Sequence, residues 1–318
     1  MRRLLGTLVA TCALSLAGAG SALAQQQFIT VLTGGTSGVY YPLGVALSQI
    51  YSKTIPEAKS SVQSTKASVE NLNLLQAGRG EIAFTLGDSL SDAWKGVEEV
   101  GFKQPLKKLR GIAAIYPNYV QIVALADSGI KTLADLKGKR VSVGAPKSGT
   151  ELNARAIFKA AGLSYDDFAK TEYLPFGESV ELMKNRQLDA TLQSAGLGVA
   201  SIRDLASAVK IVVVPVPAEV VQKVGDPAYQ GATIPAGTYD GQGADVATAA
   251  INNFLVSHEG VSDDVAYKMT KSLFENLNQM VSAHAAAKQI SLKNATKGMP
   301  LPLHPGAEKY YREKGVLQ

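Results

Sequence analysis

The stretch "VLTGGTSGVYYPLG", residues 31–44, runs an apolar strand ending at Leu32 straight into a glycine-rich turn and then a helix start. Thr33 is followed by three glycines within five residues, Gly34, Gly35 and Gly38, with the hydroxyls of Thr36 and Ser37 between them. A turn of this kind can hold a phosphate, present a nucleophile or cradle another anion. A phosphate loop needs Gly-Lys-Ser/Thr opening the helix, and here Gly38 is followed by Val39 and Tyr40. The dinucleotide fingerprint also fails at Gly34-Gly35-Thr36-Ser37-Gly38. A nucleophile elbow needs G-x-S-x-G, and Ser37 is followed at once by Gly38 and Val39. The reading that remains is an anion cradle.

Two further segments share this grammar of strand, small hydroxyl-rich loop and helix start. One is "VQSTKASVENLNLL" around Thr65 and Ser68; the other is "VSVGAPKSGTELNARAIF" around Ser148, Gly149 and Thr150. The first turn of a helix leaves backbone N–H groups without intrahelical partners and carries a partial positive charge. Glycine lets an anion approach the backbone, and serine and threonine add donors without charge. Such stretches also cap helices with no ligand involved. Ser68 is expected to cap the helix that follows it, and Ser148 or Thr150 to cap theirs.

Working outward, short apolar runs alternate with amphipathic ones. Strands are expected at Phe28–Leu32, Ser61–Ser64, Glu81–Leu86, Leu109–Tyr116, Tyr119–Ala126, "VSVG", Tyr173–Phe176, Ala190–Ser194 and Ile211–Val214. Helices are expected at Leu43–Lys53, Val69–Ala77, "TLADLKGKR", Glu151–Ala161, Ser179–Asn185, Ile202–Ala208, Asp245–His258, Asp263–Met280 and Ala283–Ile290. This alternation implies an α/β protein with mostly parallel sheets. Leaving a first lobe near 119 and returning near 212 would make residues 119–212 an inserted second lobe. Residues 25–118 and 213–318 would form the first.

The first 24 residues read as a secretory signal peptide, with Arg2 and Arg3, an apolar run from Leu4 to Ala19, and cleavage after Ala24. That marks the mature chain for export, and the family resemblance described below implies the periplasm. Cys12, the only cysteine, leaves with it. Disulfides, cysteine nucleophiles and thiolate metal sites are then excluded together. Removing Arg2 and Arg3 lowers the formal charge from +5 to +3, which implies no nucleic-acid partner. The three histidines, His258, His284 and His304, show no metal-ligand spacing and read as surface or packing residues. Glu98-Glu99, Asp166-Asp167 and Asp263-Asp264 fall at solvated helix starts or turns. No cofactor and no metal site is expected.

Four residues stand out by position. Tyr40 and Tyr116 lie at element junctions, where a hydroxyl can reach a ligand while the ring packs. Asp88 follows the strand "IAFTLG" at the end that faces the crevice in a parallel sheet. It is placed either to receive a ligand amine or to cap the next helix. Lys66, the one basic residue of the second loop, either adds charge for a carboxylate or faces solvent.

Taken together, "TGGTSGVYYPLG", "STKASVENLNLLQAGRGEIAFTLGD", "LKGKRVSVGAPKSGTELNAR", "LDATLQSAG" and "GMPLPLHPGAEKYYREKG" resemble the TAXI-type solute-binding subunits of tripartite ATP-independent periplasmic (TRAP) transporters. The resemblance runs from about residue 28 to 315. It implies a type II periplasmic-binding-protein fold, two α/β lobes joined by crossover strands. It also implies a monomeric receptor, not an enzyme, for glutamate or a 2-oxo-dicarboxylate such as 2-oxoglutarate, working with a TRAP membrane subunit. Carried over motif by motif, the ligand contacts are Gly35, Thr36, Ser37, Tyr40, Thr65, Ser68, Asp88, Tyr116, Ser148, Gly149, Thr150 and Gly196. Relatives are often glycine-rich before the second-loop serine, whereas this chain has Lys66-Ala67 there. A sensing role, with the bound solute presented to a membrane receptor, shares the same fold. An enzyme of the porphobilinogen-deaminase type would need a cofactor-bearing cysteine, which the mature chain lacks.

Overall fold

A computed structural model describes residues 27–318. The signal peptide and its cleavage site lie outside the described residues. The chain begins with β1 (Gln27–Leu32), α1 (Tyr40–Thr54), β2 (Ala58–Gln63), α2 (Ser68–Gln76), β3 (Ile82–Leu86) and α3 (Gly87–Lys95). A long strand, β4 (Leu109–Leu125), leads to β5 (Arg140–Ser142), α4 (Gly149–Ala160), β6 (Lys170–Glu172), α5 (Phe176–Lys184) and β7 (Ala190–Ala195). Then come α6 (Ala200–Ala208), β8 (Ile211–Val214), α7 (Ala218–Val224) and β9 (Gln230–Ile234). The chain finishes with β10 (Val246–His258), α8 (Asp263–Glu275), α9 (Leu277–Ala283) and α10 (Pro305–Glu313).

The main sheet path is β2-β1-β3-β10-β4-β7-β5-β6, with β8 on β4 and β9 on β10. Pairs β1–β2, β1–β3, β5–β6 and β5–β7 are parallel. Every antiparallel pair involves β4 or β10. Two parallel α/β halves therefore flank a central antiparallel pair. Strands β3 and β7 are buried along their whole length, as parallel strands covered on both faces must be. Helix α1 presses on the first half with Gly44 lying over Thr33, where a Cβ would stand 2.3 Å from Thr33 Cγ2. Helices α2 and α3 cover the opposite face through Val69, Leu72, Leu75 and Leu90. In the second half α4 and α7 cover one face, and α5 and α6 continue the α1 cluster on the other.

Several sequence expectations are corrected. The segment 245–258, expected as a helix, is strand β10. It is inserted between β3 and β4 and mostly buried on both faces, so no period-2 alternation betrays it. The second strand to run through the middle of the sheet is thus β10, while β8 pairs with β4 only over Ile122–Leu125. Pro117-Asn118 does not divide β4, because both residues pair across to β10. Tyr173 lies beyond β6, which ends at Glu172. The helix expected over 263–280 is broken at Asn276 into α8 and α9. Residues 133–136 and 285–289, expected as α-helical, form short 3₁₀ turns. The three histidines share one role: each accepts a backbone N–H at Nδ1 from two residues on, at Gly260, Ala286 and Gly306. Burial lowers the pKa of all three.

Candidate functional site

Four helices start at the seam between the halves, and their first turns meet in one cleft of about 350 Å³. Helix α1 contributes Gly35 through Tyr40, α2 Thr65 through Ser68, and α4 Ser148 through Thr150. The fourth, α5, brings Pro175, Phe176, Gly177 and Glu178, which the sequence reading missed. Its signal was the same grammar: a strand, a Pro-Phe-Gly loop and a helix start. Each first turn leaves N–H donors without helical partners and a positive dipole end. Apart from Tyr40, the only ionisable side chains lining the cleft are Lys66 and Glu178, and both are exposed. The buried wall is therefore neutral and rich in donors.

The loops are held rigidly. Gly38 N–H donates to the Gly35 carbonyl at 3.0 Å, closing the first turn. Asn71 Nδ2 donates to the carbonyls of Thr33 (2.6 Å) and Phe84 (2.9 Å). The Thr65 hydroxyl lies 2.8 Å from the Thr33 carbonyl and 2.6 Å from Asn71 Oδ1, so one amide ties the first two loops to β3. Ser148 caps α4 by accepting Glu151 N–H at 3.1 Å. Ser68 does not cap its helix: its hydroxyl accepts Leu86 N–H at 3.1 Å, and the N-cap is Ala67. Ala67 has φ 70° and Lys147 φ 61°, conformations that cost a non-glycine residue free energy and cluster at functional sites. Ala67 thus holds a position whose backbone conformation favours glycine.

The two sides already touch. Glu70 N–H reaches the Lys147 carbonyl at 3.4 Å. At Gly149 an added Cβ would lie 2.6 Å from both Leu86 Cδ1 and Ser68 Oγ. The Phe176 ring sits over Gly38. The two sides therefore meet across the cleft.

The profile of the NMT1-like family matches residues 31–315. The chain belongs to the NMT1-like family. Among solved structures, this NMT1-like chain is similar to PhnD1 from Prochlorococcus marinus in complex with methylphosphonate. The TM-score is 0.58 at 12% identity, covering 92% of this chain and 100% of that one. It is also similar to a putative L-cystine ABC transporter protein from Listeria monocytogenes, with TM-score 0.52, 18% identity, and coverage of 83% and 98%. A binding protein component of an ABC phosphonate transporter from Pseudomonas aeruginosa gives TM-score 0.52 at 12% identity, with coverage of 84% and 80%. At these identities the likeness is one of fold, and the fold is the type II periplasmic-binding-protein fold that the motifs implied.

In the NMT1-like cleft, ten of the expected residues come together: Gly35, Thr36, Ser37, Tyr40, Thr65, Lys66, Ser68, Ser148, Gly149 and Thr150. Tyr40 lines it with its ring, stacked on Phe84 at 5.1 Å, while its hydroxyl is spent on Asn253 Oδ1. Burial raises its pKa, so it stays neutral. Three expected residues lie outside. Tyr116 is buried behind the wall, its hydroxyl without a partner. Gly196 makes room for that ring, since a Cβ there would lie 3.3 Å from it. Asp88 faces a second cavity, of about 650 Å³.

The floor was not foreseen. Asn118 of β4 lines the cleft, donates to the Ser194 carbonyl at 2.9 Å, and accepts from Asn253 Nδ2 of β10 at 2.8 Å. The Ser194 hydroxyl is buried there without a partner. The available signal was a pair of amides, Asn118 and Asn253, set inside apolar strand runs. Among the described residues, no group of three or more His, Cys, Asp or Glu side chains is placed to hold a metal ion. No described helix is long and apolar enough to cross a membrane.

Proposed function

We propose that this protein is a periplasmic solute receptor that closes on a small carboxylate. The ligands favoured by the motifs are glutamate and 2-oxo-dicarboxylates such as 2-oxoglutarate. The observation that carries this reading is the meeting of four helix N-termini in one closed cleft whose buried wall holds no charged side chain. One such helix end stabilises an anion by about 0.3–1 kcal/mol, or up to ~2 kcal/mol when partly buried. Four acting together suit an ionised ligand and leave a cation without a partner. The similar PhnD1 structure holds an anion, methylphosphonate, which supports an anion in this place.

The division into two lobes is part of the proposal. The central strands β4 and β10 form the hinge at Asn118 and Asn253, where β10 carries a register shift between Asn252 and Phe254. The ligand bridges both sides and shifts the population toward the closed form through its differential affinity, with no covalent chemistry. Delivery to a TRAP membrane subunit, by a monomeric receptor, follows from the motif resemblance. A thermal-shift screen of the protein with L-glutamate, 2-oxoglutarate, methylphosphonate, an alkanesulfonate, arginine and choline tests the ligand class. A carboxylate at 100 times its Kd should add about 2.7 kcal/mol of stability. A response to choline or arginine alone would sink the anion reading.

A further inference from the structure

Asp88 was expected at the ligand and is not there, yet it is almost fully buried. It lies in the first turn of α3, on the β1–β3 half. Its Oδ2 accepts from Asn153 Nδ2 of α4 at 2.6 Å and from the Tyr229 hydroxyl, beyond α7, at 2.8 Å. Asn153 Nδ2 also donates to the Tyr229 oxygen at 2.7 Å. Both partners belong to the β5–β7 half, Tyr229 packing in the apolar cluster beneath α4 and α7. Oδ1 takes the N–H of Ser89 at 2.7 Å. One carboxyl thus joins the two halves beside the cleft, two residues from Leu86, which lines it.

We propose that Asp88 is a positioning residue: it clasps the two halves in the closed form and couples cleft closure to the uptake of a proton. Closure buries a carboxyl that opening returns to water, and burial disfavours its charged form. The surrounding charges do not offset this. Asp92 on its own helix and Asp226 near Tyr229 repel its charge. Arg155 and Lys159 of α4 and Lys223 of α7 line the same cavity, but none bonds it. Glu70, the charged residue of α2, is bonded to Lys66 N–H. His258, the ionisable residue of β10, is bonded at Gly80, and β3 has no ionisable residue. Burial pushes the Asp88 carboxyl up to about 6, against about 4 for a carboxyl in water. The closed form therefore holds the proton to higher pH than the open form. Closure is strongest at low pH and weakens as pH rises from about 4 to about 6.

This inference rests on the receptor reading for the meaning of closure, but its test uses no solute. Spin labels at Arg79→Cys and Gln187→Cys, exposed sites on the two halves, in a Cys12→Ser background, report the distance between the halves. The ratio of closed to open protein should fall about tenfold between pH 5 and pH 8. Asp88→Asn, neutral at every pH, should give a ratio that does not change between pH 5 and pH 8. Tyr229→Phe, which removes one donor to the carboxylate, should move the midpoint to higher pH. A pH-independent ratio in the unsubstituted protein, or an unchanged pH response in Asp88→Asn, would overturn the proposal. Should Asp88→Asn fail to fold, the unsubstituted profile and Tyr229→Phe still decide it. Solute binding in the thermal-shift screen would survive either failure, so the two readings stand or fall separately.

Discussion

The cleft and the larger cavity beside it border the same seam and are built from opposite chemistry. The cleft is walled by helix first turns, hydroxyls and amides, with Lys66 and Glu178 only at its exposed positions. The larger cavity is lined by Asp88, Asp92, Asp226, Arg155, Lys159 and Lys223. Ionisable side chains of both signs line it, so its walls favour neither sign of solute. Backbone dipoles fixed by the fold cannot swing away or neutralise one another. On the proposed reading a wall without charge is the stronger anion site, because its donors are already oriented before the ligand arrives.

The comparison can be broken most severely at Gly149. Substitution by valine puts carbon within 2.6 Å of Leu86 and Ser68, and the cleft cannot close. Affinity for L-glutamate or 2-oxoglutarate, measured by calorimetry, should fall more than a hundredfold, while far-UV circular dichroism stays unchanged. Binding that survives would mean that the cleft does not work by closing.

Next in size is the double change Ser148→Ala with Thr150→Ala. It removes two buried hydroxyls from the cleft and the α4 cap. The expected result is a ten- to hundredfold loss of affinity with a stability cost of about 1 kcal/mol from the cap. Unaltered binding would remove the α4 loop from the site.

The second cavity answers to pH instead. The folded chain raises the Asp88 pKa to about 6, and an unfolded carboxyl sits near 4. Its contribution is greatest below the unfolded value, declines as pH rises through 4 to 6, and is flat above. Asp88→Asn should raise the melting temperature at pH 8 by the equivalent of about 2 kcal/mol and have almost no effect at pH 4. A lower melting temperature at pH 8 would show that the ionised carboxylate is a net stabiliser.

The smallest effect belongs to Lys66→Ala. An exposed lysine acts through a screened field, so affinity should change by less than about threefold, with a weaker salt dependence of the association rate. A loss as large as that at Ser148 and Thr150 would move the dominant charge from helix ends to a side chain.

Much of the site was legible because its parts are local. Gly35 to Ser37, Thr65 to Ser68 and Ser148 to Thr150 each lie on one loop, and a strand, a small loop and a helix start are signalled within a few residues. Asp88, Tyr116 and Gly196 were misplaced because local order says which end of a strand they occupy and not which side of the wall they face. Asn118, Ser194 and the α5 turn were missed because each matters only through neighbours distant in sequence: Asn118 meets Ser194 and Asn253. Strand β10 was misread for the same reason: a strand buried on both faces loses the alternation that local pattern depends on.

The amino-acid sequence by itself determined the alternating α/β architecture and three glycine- and hydroxyl-rich turns at helix starts. It also determined the absence of cysteine chemistry after Cys12. These follow from short-range periodicity, backbone freedom and composition. Only the tertiary structure decided that four such turns converge and that β10 is the second central strand. It alone turned Asp88 away from the ligand to join the two halves. Convergence is a property of strand order and crossing, and the partners it brings together here stand up to 213 residues apart.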